Sequence, residues 1–123
     1  MINWYFGWAA ILAAFVSGAG LGLYFHQPEF LGGYSSFRRR IVRLGHIALA
    51  ALGMINVLFS LSPMPSASSL PTQIASIGFV IGGITMPAVC FLTGWRIGFR
   101  FLFFIPVLAL TIAVIETLRN GPP

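Results

Sequence analysis

Charge is what this sequence lacks. Its 123 residues contain no lysine, no aspartate and only two glutamates, Glu29 and Glu116, and charged residues make up 7% of the chain. A water-facing domain carries about 25% charged residues, so this chain has too little polar surface to sit in water. The shortage of acids removes the paired carboxylates of general acid–base catalysis, and without lysine there is no phosphate-cradling P-loop. A Gly-x-Ser-x-Gly nucleophile elbow is missing as well. Cys90 is the single cysteine, which excludes an internal disulfide and leaves no Cys-x-x-Cys context for zinc or redox work.

Apolar length is abundant instead: 58% of residues are hydrophobic and the mean hydropathy is +0.93. A helix needs about 20 apolar residues to cross the hydrocarbon of a bilayer. Three runs meet or approach that requirement. The first, Met1 to Gln27, suits one helix; it has no basic start and stays apolar through Tyr24 and Phe25, so it reads as a retained helix and not a cleaved signal. The second, Leu44 to Trp95, has no charge at all and holds two passes, separated by the proline- and serine-rich turn Ser62-Pro63-Met64-Pro65-Ser66-Ala67-Ser68-Ser69. The third, Phe101 to Ile115, is a shorter pass that Arg100 and Arg119 bracket by snorkelling. The expected fold is an all-α membrane protein, a single domain over residues 1–123 with four transmembrane helices near 3–26, 38–61, 70–94 and 100–118 in a compact up-down bundle. Ser35 or Ser36 and Ser69 are the expected caps of the second and third helices, and kinks are expected at Pro87 and Pro106. A β-barrel would need alternating polar and apolar positions, which these runs do not have.

The few charges set an orientation. Arg38, Arg39, Arg40 and Arg43 lie at the first connection, Arg96 and Arg100 at the third, and the second has none. Loops rich in arginine stay in the cytoplasm, so both termini are expected on the outer side of a cell membrane, the bacterial inner membrane being the natural setting. Trp4, Tyr5 and Trp8 then belong to the outer interface, and Tyr24, Tyr34 and Trp95 to the inner one.

Lipid does not press helices together, so small residues and interhelical hydrogen bonds must hold them. Ala10, Ala14, Gly18 and Gly22 form one small face of the first helix, and Gly78 and Gly82 a second in the third helix; both are expected packing surfaces. On a helical wheel Arg39, Arg43, His46, Ala50, Gly53 and Ser60 share a stripe of the second helix, with Asn56 on its flank. Ser69, Gln73, Ser76, Gly83, Pro87, Cys90 and Gly94 share one in the third. The two stripes are expected to face each other or a shared cavity, with His46 and Cys90 as neighbours.

Chemistry-bearing residues are few. A neutral imidazole ligates haem b iron, which makes His46 a candidate axial ligand, with His26, Met54 or Met86 as the second. His26 stands at the end of its helix and His46 deeper in the next, a mismatch of about 7 Å that strains a bis-histidine site. The plainer reading makes His46 a hydrogen-bonded packing residue. Arg38, Arg39, Arg40 and Arg43 suit lipid head groups or another anion. Glu116, three residues before Arg119, is expected in an interfacial ion pair, and Glu29 as a partner of the neighbouring arginines. No soluble module presents the arginines to nucleic acid, so none is expected as a partner.

These features point first to a non-catalytic accessory or scaffold subunit that packs on other membrane helices or on copies of itself. A haem b or quinone-interacting electron-transfer subunit centred on His46 is the alternative, followed by a small transporter or channel. Size and helix count resemble the small membrane-anchor or accessory subunits of respiratory assemblies, a likeness of architecture alone. A cysteine introduced at Ser66 is expected to react with a membrane-impermeant thiol reagent in intact cells; failure to label it reverses the orientation.

Overall fold

The computed structural model describes residues 2–63 and 68–121, leaving the central part of the expected turn, residues 64–67, outside the described residues. The described chain is all-helical: α1 spans Ile2–Phe25, α2 Phe37–Leu61, α3 Leu70–Trp95 and α4 Phe104–Arg119. Each of the first three exceeds 20 residues, and Ile97–Arg119 forms a fourth continuous apolar segment of 23 residues, so four segments are long and apolar enough to cross a membrane. Between Trp4 and Tyr24, both exposed, α1 rises about 30 Å, which matches the hydrocarbon thickness that an aromatic belt at each end would bracket.

The caps follow from short hydroxyl side chains. Ser36 opens α2 by accepting from the Arg39 N–H at 3.1 Å, and its own hydroxyl donates to the Leu31 carbonyl at 2.7 Å. Ser69 opens α3, accepting from the Thr72 N–H at 3.4 Å and donating to the Thr72 hydroxyl at 2.8 Å. The α1–α2 connection folds back through a 3-10 turn, Phe30–Gly32, in which Leu31, Gly32 and Gly33 all have positive φ (55°, 86° and 96°). Glycine takes that conformation at little steric cost, whereas Leu31 is held in it by the Ser36 bond.

Pro106, expected as a kink inside the fourth helix, falls at the start of α4. It stands in the first turn of the α-helix, where its fixed φ suits the start of an α segment. The segment before it, Ile97–Phe103, is wound as a 3-10 helix. A proline ring clashes with the carbonyl four residues earlier in an α-helix, so α geometry begins around the proline and not upstream of it. Pro87, by contrast, is buried inside α3, which continues through it.

The helices pack in chain order and antiparallel. Gly7 of α1 meets Val57 and the Gly53 carbonyl of α2, while Gly18 further along α1 meets His46 earlier in α2. Gly45 of α2 meets Cys90 of α3, and Gly94 of α3 meets Val42. Gly78 and Gly82 of α3 receive Ala109, Ala113 and Leu110 of α4. Phe59, Ala75, Phe79 and Ala113 form a small apolar core where α2, α3 and α4 meet, with the Phe59 and Phe79 rings 5.1 Å apart. This antiparallel order gathers six of the seven arginines at one end of the protein, with Arg119 at the other.

The α1–α2 contact is a backbone approach. A Cβ added to Gly53 would stand 2.9 Å from the Gly7 carbonyl oxygen and 3.2 Å from Ala10 Cβ, so only glycine fits without moving a helix. Ala10 and Ala14 are buried in the same face. Gly22 lies beyond it, where an added Cβ would meet nothing within 4 Å. Gly18→Leu is therefore expected to lower unfolding stability by about 1–3 kcal/mol through overpacking, while Gly22→Leu stays near wild type; thermal or detergent-titration unfolding of the two variants separates them.

Candidate functional site

Two polar clusters and one basic cleft hold nearly all the side chains able to do chemistry. The first cluster joins three helices near the start of α1. Asn56 of α2 is fully buried. Its amide donates to the Leu52 carbonyl at 2.9 Å and the Phe79 carbonyl at 3.1 Å, and its oxygen accepts from Asn3 at 2.8 Å. The Asn3 amide also donates to the Ser76 carbonyl at 3.0 Å, and its oxygen accepts from the Ser76 hydroxyl. Every amide N–H in the group is used, so the network is closed and offers nothing to a ligand. Gly83 permits the approach: a Cβ there would stand 3.3 Å from the Asn56 amide nitrogen and 2.5 Å from the Phe6 ring.

Sequence reasoning placed Asn56 only on the flank of a stripe and passed over Asn3. The available signal was an asparagine within an otherwise apolar run, since an uncompensated amide in hydrocarbon costs several kcal/mol, on the order of 4–8.

The second cluster is His46 with Ser17. The Ser17 hydroxyl lies 3.1 Å from His46 Nδ1 and 3.2 Å from the Ala14 carbonyl. The other ring nitrogen is Nε2. That nitrogen borders the α1 backbone: a Cβ added at Gly18 would stand 3.1 Å from Nε2 and 2.7 Å from Cε1. His46 thus turns toward α1. Cys90 is fully buried against Gly45, the residue next to His46 in α2. His26 is exposed beyond the end of α1, about 12 Å along the helix axis from Gly18. The two histidines are not brought to one ring-sized site, and among the described residues no three of His, Cys, Asp and Glu come together.

The four arginines at the start of α2 divide. Arg39 is 4% exposed. Its guanidinium donates to the carbonyl of Phe25, the last residue of α1, and, at 3.1 Å, to that of Gln27 just beyond it, which also accepts from the Phe30 N–H. The ring centroids of Tyr34 and Phe25 lie 4.1 and 4.5 Å from its Cζ, and Phe30 lies at 6.0 Å. Arg39 is a cation at a helix C-terminus, where the macrodipole favours it, boxed by aromatic faces that favour it again. Arg40 and Arg43 are exposed beside it, and Phe25, Tyr34, Arg39, Arg40 and Arg43 line a cleft of about 290 Å³. Arg38 is exposed and does not line this cleft. Glu29, expected to neutralise these arginines, is exposed and forms no ion pair among the described residues; the ion pair present is Arg119 with Glu116, at 3.2 Å.

No protein-family model, curated protein or solved structure matches the chain.

Because Arg39 ties α2 to the end of α1, Arg39→Gln is expected to cost about 1.5–3 kcal/mol of stability, the range for hydrogen bonds to a charged group. It should also open the α1–α2 connection to protease. Unchanged melting together with unchanged proteolysis of that connection would remove Arg39 from this role.

Proposed function

We propose that this chain is a polytopic membrane protein acting as a non-catalytic accessory or scaffold subunit, its arginine-rich end cytoplasmic and both termini outside, in a bacterial inner membrane. The observation that carries the reading is how the inward polar groups are used. Asn3, Asn56 and Ser76 satisfy one another, and Ser17 pairs with His46 Nδ1. Glu116 is held by Arg119, and Cys90 is sealed against Gly45. Polar groups in a membrane are costly and usually retained for a task. Apart from the Thr93 hydroxyl, which is buried in α3 without a hydrogen-bond partner among the described residues, these groups are occupied with holding one helix to another or one side chain to its neighbour.

The partner of this scaffold is a transmembrane helix of a different chain. Between α1 and α3 runs an apolar groove of about 400 Å³, its lining including the buried Ala10 and Gly83 and the exposed Ala9, Ala13 and Ala88. Small residues let a foreign backbone approach closely, which is the main source of helix affinity in lipid.

Native mass spectrometry of the protein extracted in mild detergent is expected to find it bound to a second, different membrane chain. Ala88→Trp, which fills the groove, should release that chain and leave helicity intact. A lone 13.3 kDa species, a simple multiple of that mass, or a complex indifferent to Ala88→Trp overturns the proposal. So does a reducible Soret band lost in His46→Ala, which would make the protein a haem b electron-transfer subunit.

A further inference from the structure

We propose that the cleft between the end of α1 and the start of α2 binds the phosphate group of one anionic lipid, with Arg40 and Arg43 as its ligands and Arg39 as the fixed positive floor. The cleft is lined by three guanidiniums, and no carboxylate pairs with any of them among the described residues. A nearly fully buried arginine normally has an anionic partner. Arg39 has only carbonyl oxygens and ring faces, which accept its hydrogen bonds and leave its charge standing.

Arg40 and Arg43 are three residues apart on one face of α2, the spacing at which two long side chains converge on a shared group. Neither side chain has a hydrogen-bond or ion-pair partner among the described residues. Paired guanidiniums with five N–H donors each match the geometry of phosphate oxygens. The Tyr34 hydroxyl, whose residue also lines the cleft, donates to the His26 carbonyl at 3.1 Å and retains acceptor capacity for a head-group hydroxyl.

Depth selects the source of the phosphate. Arg43 lies six residues into α2, about 9 Å along the axis from its first residue, so the cleft descends from the head-group level toward the hydrocarbon. A free phosphate ion would lose its hydration there, whereas a lipid phosphate already sits at that level and its acyl chains lie against the exposed apolar surface of α1, Leu23 among it. This inference is independent of the subunit reading, because it concerns only the chain's own cleft.

The test is lipid retention by the full-length protein in detergent, read by native mass spectrometry during titration with phosphatidylglycerol, phosphatidylcholine or inorganic phosphate. One phosphatidylglycerol should bind, phosphatidylcholine markedly less, and millimolar inorganic phosphate should not displace it. R40Q/R43Q should weaken phosphatidylglycerol roughly 30-fold, since each basic residue near an anionic surface contributes about a factor of five. The charge-matched control R96Q/R100Q, at the same end of the protein but outside the cleft, should bind as wild type. Equal weakening in both double variants reduces the effect to bulk charge and overturns the proposal. Equal retention of the two lipids, or wild-type binding by R40Q/R43Q, overturns it too. Displacement by inorganic phosphate overturns the assignment to lipid and makes the cleft a site for a free anion.

Discussion

The amide of Asn56 is the point on which the arrangement turns. In hydrocarbon no water can replace a missing partner, so this side chain admits one relative placement of α1, α2 and α3: the one that delivers Asn3 to its oxygen and the Phe79 carbonyl to its nitrogen. Sliding or rotating any of the three helices breaks at least one of these bonds. Once that end is registered, antiparallel geometry determines what meets at the other. Gly7 passes Gly53, Gly18 passes His46, and the end of α1 arrives under Arg39. Small residues make the approach possible, but apolar contact alone is tolerant of slippage, and it is the directional amide contacts that choose among similar packings.

The spans were legible because length and breakers alone determine them. Long uncharged runs, prolines and serine caps give element ends to within a few residues, and Ser36 and Ser69 cap where hydroxyls at helix starts should. Rotational phase was not legible. A wheel tells which residues of one helix share a face, but when all faces are apolar it does not say which neighbour that face meets. Two stripes on α2 and α3 were expected to face each other or a shared cavity; the His46 and Gly53 side of α2 serves α1, Cys90 meets Gly45, and Asn56 meets Gly83. Asn3 escaped notice for the same reason, as its significance appears only with Asn56 and Ser76 beside it. Pro106 was misread on a different ground. A proline breaks a helix or begins one depending on its offset from the first α turn, and that offset is a property of the fold.

Arginine serves two opposite purposes within two turns of α2. Arg39 points inward and closes the end of α1, where unsatisfied carbonyls carry a partial negative charge equal to about half an electron. Its neighbours Arg40 and Arg43 point outward with no such compensation. The connection between α1 and α2 is thus held by a cation, and the same cation raises the electrostatic potential of the cleft beside it. Lysine would not do both: its ammonium has no planar fork for two carbonyls and stacks poorly between aromatic rings.

The 3-10 winding ahead of Pro106 also alters how far the fourth pass reaches. As an α-helix the 16 residues of α4 extend about 24 Å, short of the roughly 30 Å of hydrocarbon. The seven residues wound as a 3-10 helix before it rise about 2 Å each and add about 14 Å, some 3 Å more than the same residues in α form. The 3-10 stretch therefore lengthens this segment, and a chain with its shortest apolar run last can bring Arg100 and Arg119 to opposite edges of the same slab.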